Sequence, residues 1–315
     1  MTLLQLKYIV AIDTYRNFAI AAQKCFITQP TLSVQVQKLE EELGVVIFDR
    51  SKKPVLPTST GLKIIEQARS NLRELDKISE IVRDDKTELR GELKIGIIPT
   101  LAPYLLPLFI SKFLDKYPGI NLVVEELVSG QILERIQQDL LDFGILVTPT
   151  RDRRMTETPL FYESFVVYMS TNHRLSGESI LDLRDLNLDE MLLLSEGHCF
   201  RNQVLNICAR QQIDGRDSRL YFEAGSLETL KRIVDNRYGY TLLPELALLN
   251  LDEQQRGHVK EICHPKPMRE VSLVVHRSYL KKQLIEVFKR ELLDSLPESV
   301  KKNTPQNVID WVGSK

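Results

Sequence analysis

Two cysteines nine positions apart, Cys199 and Cys208, are the residues whose types and spacing bear most directly on chemistry. Cys199 stands in Gly197-His198-Cys199-Phe200-Arg201, and Glu196-Gly197 reads as a break before a helical run. The spacing predicts Cys199 in or near a first helical turn, where free backbone N–H groups and the positive dipole end favour an anion. His198 and Arg201 would add donors and positive charge, and each of these lowers a thiol pKa and supplies thiolate for attack. Cys199 is therefore a candidate reactive thiol. If 199–208 is helical, Cys208 lies on the opposite face and about 13 Å away along the axis. A disulfide needs Cα atoms within about 7 Å, so the pair bonds only if the helix rewinds or melts. Oxidation would then be a conformational switch. The competing reading is a pair of small buried apolar residues, the usual state of free cysteines.

These residues sit in a chain of 315, long enough for two or three domains, with 43% hydrophobic and 27% charged residues. The N-terminus lacks a basic segment followed by a long apolar run, and no stretch reaches about 18 apolar residues. A cytoplasmic protein with no membrane contact is expected. Four cysteines in such a chain argue against a disulfide framework. Cys25 and Cys263 are expected to be buried and unreactive. Cys263-His264 with His258 lacks a second ligand pair at zinc-like spacing, so neither metal nor cofactor is expected. Net charge is −1, which by itself says nothing for nucleic acid, although residues 1–63 carry a mild excess of Lys and Arg.

The elements that must act around the cysteines follow from periodicity. Leu3, Leu6, Ile9 and Val10 mark a first helix, and Phe18–Lys24 a short second one. Thr28 suits an N-cap, with Pro30 in the first turn, for a third helix carrying Leu32, Val36, Leu39 and Leu43 as one buried stripe, stopped by Gly44. Gln29, Pro30, Thr31, Ser33, Val34, Gln35 and Lys38 fall off that stripe; uncharged polar and methyl groups of this kind suit base edges in a major groove. Two short apolar runs then flank a turn bearing Arg50, Lys52 and Lys53, a hairpin able to lay charge on phosphate. A generic three-helix unit with solvated charges explains the same pattern. From Leu62 to Asp85 an uninterrupted helix keeps Ile65, Ala68, Leu72, Leu75 and Val82 on one seam, with Ser79 as its weak position, and a seam at that period wants a partner helix. After Gly91, strands at Leu93–Ile98, Asn121–Leu127 and Phe143–Val147 alternate with helices, implying an α/β domain with a largely parallel sheet. Thr100 and Ser129, each just past a strand, point toward one cleft, although helix capping is the commoner role for such residues.

Ala21-Ala22-Gln23-Lys24, Thr28-Gln29-Pro30-Thr31-Leu32-Ser33, Lys38-Leu39-Glu40, Glu42-Leu43-Gly44, Phe48-Asp49-Arg50 and Thr58-Ser59-Thr60-Gly61 resemble the LysR-type transcriptional regulators in order over nearly all of residues 1–61. The resemblance implies an α-helical winged helix-turn-helix domain plus dimerisation helix, joined to an α/β periplasmic-binding-protein-like effector domain of two subdomains. Its boundaries would be 1–61 for the DNA-binding domain, 62–88 for the dimerisation helix, and 89–300 for the effector domain. Subdomain I would hold 89–162 and 269–300, subdomain II 163–268, and a tail 301–315 has no assigned role. Gly225-Ser226-Leu227-Glu228-Thr229-Leu230 and Gly239-Tyr240-Thr241-Leu242-Leu243-Pro244 look like the same family.

Within it, the cysteine motif and the run Ile98-Pro99-Thr100 with Pro103-Tyr104-Leu105-Leu106-Pro107 are similar to the hydrogen-peroxide sensors. That resemblance implies that peroxide oxidises Cys199 to a sulfenic acid and that Cys208 resolves it into a disulfide. Thr100, Ser129 and His198 would hold the peroxide, with Arg201 and Arg269 lining the pocket. The implied partners are double-stranded promoter DNA, hydrogen peroxide, RNA polymerase and three further copies in a homotetramer. Ser129, Asn202, Tyr221 and Glu270 depart from the pattern expected there, and Arg269 is placed to serve in place of Glu270. A LysR-type regulator answering a small organic effector is the alternative. A thiol peroxidase using Cys199 is a third reading, which leaves residues 1–85 without purpose.

Overall fold

The computed structural model describes residues 1–84, 89–208, 222–236 and 239–311. The chain divides into two compact units, Met1–Thr87 with Ser278–Lys281, and Glu88–Arg277 with Lys282–Lys315.

The first unit holds α1 (Leu3–Tyr15), α2 (Phe18–Lys24), α3 (Gln29–Leu43), a hairpin of β1 (Phe48–Asp49) and β2 (Leu56–Pro57), and the 26-residue α4 (Ser59–Asp84). Side-chain caps start each short helix: Thr2 accepts from Gln5 N–H, Asn17 from Ala19 and Ile20, and Thr28 from Thr31, with Pro30 in the first turn. Gly44 ends α3 at φ 66°, the left-handed conformation glycine adopts without a Cβ penalty. Leu6, Ile9, Ile12, Ala21, Ala22, Leu32, Val36, Leu39, Ile65 and Ala68 form one core. Two positions of the expected stripes are not in it. Leu3 and Leu43 stand at outer helix ends and are exposed, and Ile12 takes the inward position on α1.

The seam of α4 is divided in use. Ile65 and Ala68 are buried and Leu72 packs on the same core, while Leu75 and Ile78 are exposed at 37% and 61%. The Ser79 and Val82 side chains lie outside those described. Arg69 pins the helix to α1, donating from Nη2 to Asp13 Oδ2 (3.0 Å) and Thr14 Oγ1 (2.7 Å). The helix starts at Ser59 rather than Leu62 because the Thr58 hydroxyl caps it, accepting from Gly61 N–H at 2.9 Å while donating to Val46 O at 2.8 Å. Gly61 is required there: a Cβ would lie 2.1 Å from Ile47 O, a backbone atom that cannot swing away. Gly61→Ala should therefore destabilise this unit by about 3 kcal/mol, the upper range for overpacking, with loss of DNA binding. Thermal unfolding followed by operator titration checks it.

The second unit is built of β3 (Gly91–Ile97), α5 (Ala102–Lys116), β4 (Ile120–Glu126), α6 (Ser129–Gln137), β5 (Phe143–Thr148), β6 (Met155–Met169), β7 (Ile180–Leu181), β8 (Leu193–Leu194), α7 (Cys199–Ile207), β9 (Glu223–Ala224), α8 (Leu227–Asp235), β10 (Tyr240–Pro244), α9 (Glu253–Arg256), β11 (Val259–Ile262), β12 (Met268–His276), α10 (Lys282–Asp294) and α11 (Glu298–Lys301). Its sheet is mixed, in the order β4-β3-β5-β12-β6-β11-β7 with β10 also on β6. Only β4-β3-β5 is parallel in the first lobe; β12 is antiparallel to both β5 and β6. The expected largely parallel sheet is thus confined to the strands joined by crossover helices, as parallel neighbours require.

The strand β6 serves both lobes. It pairs with β12 as far as Ser164 and with β10 from Phe165 onward. In the first lobe Phe288 of α10 meets Phe109, Phe113 and Phe143 edge-on at 5.1–5.5 Å. Glycine brings α6 close to the sheet, since a Cβ on Gly144 would stand 2.4 Å from Ile132 Cγ2. That approach sets the position of Ser129 at the start of α6.

Candidate redox site

Cys199 is the first residue of α7, with His198 as N-cap and Cys208 as C-cap. The two thiols therefore occupy opposite ends of one intact helix, about 13 Å apart by helical rise, and both are buried and free. The expected geometry holds, but the source of its electrostatics does not. His198 is buried, makes no side-chain cap bond, and burial lowers its pKa, so it brings no positive charge at neutral pH. Arg201 is turned away: its Nη1 donates to Leu194 O (2.8 Å) and pairs with Glu223 (3.0 Å), stapling α7 to the β8–β9 pair.

The charge near the sulfur comes from Arg269, which is fully buried. Register places Arg269 of β12 directly opposite Glu163 of β6 on one face of the sheet. Arg269 Nε donates to Glu163 Oε1 at 2.8 Å, Nη1 to Thr100 Oγ1 at 2.9 Å and Nη2 to Thr100 O at 3.1 Å. Its guanidinium also lies 5.5 Å over the Phe200 ring. Glu270, the next residue, faces the other way and accepts from Thr148 and Tyr162. Strand alternation thus makes Arg269, and not Glu270, the basic residue of this site. Tyr221 lies outside the described residues.

Burial raises the Cys199 thiol above its ordinary value, opposed by the approach of the Ser129 hydroxyl, by Arg269 and by the N–H groups of Phe200 and Cys199. This reverses the expectation of a lowered thiol pKa, because desolvation outweighs the helix end when the sulfur is wholly enclosed. Ser129 does not cap α6; its Oγ is buried with no full hydrogen bond of its own. Thr100 is likewise buried, and after accepting from Arg269 its hydroxyl keeps one proton to give. Burial pushes Cys208 up to about 11. Sequence reasoning missed Glu163, although a carboxylate between Phe161 and Phe165 on one strand face was a readable signal. Cys25 and Cys263 are half-buried rather than buried. Among the described residues no group of His, Cys, Asp and Glu is disposed to hold a metal ion.

On the first unit, Gln29, Pro30, Thr31, Val34 and Lys38 are exposed along α3, and Lys52 and Lys53 are exposed at the hairpin turn. Three expected contacts are engaged within the unit. Arg50 donates to Ser33 Oγ (3.2 Å) and Glu40 Oε2 (3.0 Å), and Gln35 accepts from Gln5 through its carbonyl (3.4 Å). Arg50 therefore braces the hairpin against α3.

Residues 3–62 match the bacterial regulatory helix-turn-helix proteins of the lysR family and residues 86–297 match the LysR substrate binding domain. The chain belongs to the LysR family. Within it, the chain is 39% identical to the hydrogen peroxide-inducible genes activator of Haemophilus influenzae over 87% of its length and 90% of the relative's. It is 35% identical to the DNA-binding transcriptional dual regulator OxyR of Escherichia coli K12, over 87% and 89%. Among solved structures, full-length OxyR of Pseudomonas aeruginosa superposes with a TM-score of 0.76 at 35% identity, covering 94% of this chain and 97% of that one. A Corynebacterium glutamicum OxyR mutant bound to hydrogen peroxide gives 0.58 at 30%, covering 93% and 94%.

Proposed function

We propose that this chain is a DNA-binding transcriptional regulator that senses hydrogen peroxide through Cys199 and switches through a Cys199–Cys208 disulfide. The observation that carries the reading is the burial of Cys199 beside the unsatisfied Ser129 hydroxyl and the charge of Arg269, to which Thr100 is bonded. A small polar oxidant fits this chemistry, and the Corynebacterium glutamicum neighbour holds hydrogen peroxide. The Cys199 thiolate attacks one peroxide oxygen, the O–O bond breaks, and the departing hydroxide takes a proton to leave as water. Sulfur is oxidised to sulfenic acid and the peroxide oxygens are reduced. Hydroxyls of Thr100 and Ser129 orient the peroxide, while Arg269 favours the thiolate and the charge developing on the leaving oxygen. Cys208 then displaces water from the sulfenic sulfur, closing the disulfide. Because α7 holds the thiols apart, this second step remodels the helix, and that change is the signal.

The remaining roles follow the same reading. Gln29, Pro30, Thr31, Val34 and Lys38 face the major groove, with Lys52 and Lys53 on phosphate, while Ser33, Gln35 and Arg50 support that face from within the unit. Exposed Leu75 and Ile78 continue the seam on which two copies pair, and two such dimers form a cytoplasmic tetramer that engages RNA polymerase at promoters. The domain limits are 1–61, 62–88 and 89–300, the last with its lobes exchanging near 163 and 269.

Peptide mass spectrometry after stoichiometric peroxide and thiol blocking tests this. A Cys199–Cys208 cross-link is expected in the intact chain, and sulfenic acid at Cys199 in Cys208→Ser. Cys199→Ser should keep DNA affinity and lose the peroxide response. A Cys199 that stays reduced at many equivalents of peroxide overturns the sensor and leaves a regulator answering an organic effector.

A further inference from the structure

Beyond α11 the chain returns to the redox helix. Met268 N–H donates to Asn307 O and Ile309 N–H donates to Met268 O, both at 2.8 Å, so Asn307–Ile309 add a short rung beside the start of β12. Asn307 Nδ2 also donates to Pro265 O at 3.1 Å. From α7, Gln203 Nε2 donates to Ile309 O at 3.0 Å and Asn206 Nδ2 to Asp310 O at 2.6 Å. Gln203 is fully buried, and the Asp310 carboxylate pairs with Arg151. Residues 307–310 thus tie the strand carrying Arg269 to the part of α7 that lies between the two cysteines.

We infer that Gln203 and Asn206 are positioning residues for the second oxidative step, clamping α7 to the C-terminal segment so that its release sets the rate of disulfide closure. The inference rests on the proposed cysteine switch. Cys199 sulfenic acid and Cys208 can meet only after the helix between them unwinds. Unwinding from the Cys208 end past Asn206 breaks the bond to Asp310 O, and further unwinding past Gln203 breaks the bond to Ile309 O. Release also changes the nucleophile. Burial holds the Cys208 thiol up to about 11, and exposure returns it toward the ordinary thiol value of about 8.5, raising the thiolate fraction at neutral pH. In the step itself the Cys208 sulfur forms the S–S bond, the sulfenic S–O bond breaks, and hydroxide takes up the proton that Cys208 lost. The first step needs none of this, because Thr100, Ser129 and Arg269 do not contact the C-terminal segment through any of these bonds.

The test compares the full chain with Asn206→Val and with a chain ending at Gln306, each treated with stoichiometric hydrogen peroxide. Valine has a helix propensity close to that of asparagine, so the variant removes the hydrogen bond without otherwise loosening α7. Sulfenic acid formation is read by dimedone trapping in a Cys208→Ser background, and disulfide closure by timed alkylation and mass spectrometry. Sulfenic acid should form within about twofold of the parent rate. Disulfide closure should be about fivefold faster in Asn206→Val, the weight of one net hydrogen bond, and faster still in the shortened chain. Normal sulfenic acid formation with unchanged or slower closure in Asn206→Val overturns the clamp and leaves the sensor standing. Failure of Cys199 to oxidise in the parent chain overturns the sensor and the clamp together.

Discussion

Arg269→Met should destabilise the second unit by about 3–5 kcal/mol, the cost of leaving one charge of a buried pair uncompensated, and slow Cys199 oxidation at neutral pH about tenfold or more. Arg269 and Glu163 are each wholly buried and paired, Arg269 Nη2 standing 2.6 Å from Glu163 Oε1. Without the guanidinium, the Glu163 carboxylate keeps, among the described residues, only the Leu246 N–H at 3.2 Å. Burial already pushes this carboxyl up against the opposing effect of Arg269, so losing Arg269 leaves it to protonate or unfold the site. The chemical loss is separate. Arg269 favours the Cys199 thiolate and donates to both oxygens of Thr100, and one pKa unit in the thiol is a tenfold change in thiolate. The double variant Glu163→Leu with Arg269→Met distinguishes the two effects. Replacing both members of a buried pair by apolar residues should restore most of the stability, while oxidation stays slow. Denaturant unfolding and stopped-flow peroxide consumption give the two readings. Recovery of the oxidation rate along with stability would mean that Arg269 acts only through the fold.

That pairing also marks the limit of what the chain discloses before folding. The placement of Cys199 in the first turn of α7 and Cys208 at its end was legible, because a glycine break and helical spacing are local signals. The charge on the sulfur was not. His198 and Arg201 are neighbours in sequence, yet burial leaves one neutral and Glu223 and the Leu194 carbonyl engage the other. Arg269 reaches the site through strand register, which sets Arg269 against Glu163 and turns Glu270 to the opposite face. A shift of one residue in that register would exchange their roles.

The same division runs through the first unit. Leu32, Val36 and Leu39 were readable as a buried stripe, whereas Leu43 at the helix end was not distinguishable from them by period. Arg50 looked like a phosphate contact because the hairpin turn is basic, but Ser33 and Glu40 come within its reach only after α3 and the hairpin pack. The polar composition of residues 301–311 carried no sign of what they do. Their bonds to α7 run mostly through backbone carbonyls, which every residue owns and no side-chain pattern advertises.

Between pH 6 and 8 the rate at which peroxide oxidises Cys199 should climb about tenfold for each pH unit, the slope of a thiol that titrates above the window. Burial is the largest influence on Cys199 and raises its pKa; Ser129, Arg269 and the first N–H groups of α7 only reduce the rise. The thiolate is therefore a small fraction throughout this range and grows in proportion to hydroxide. Burial lowers the His198 pKa, so above neutral pH the slope belongs to the thiol alone. Stability has the opposite slope at higher pH. The unfolded chain loses its thiol protons near pH 8.5, while folded Cys208 keeps its proton up to about 11. Across that interval the unfolded state binds fewer protons, so stability falls as pH rises, and Cys208→Ala should flatten the fall. Stopped-flow oxidation and denaturant unfolding over the two ranges measure both slopes. A flat oxidation rate from pH 6 to 8 would mean that the thiolate is already formed at pH 6. Arg269 and the helix end would then outweigh the desolvation of the sulfur, and the order of influences argued for this site would be inverted.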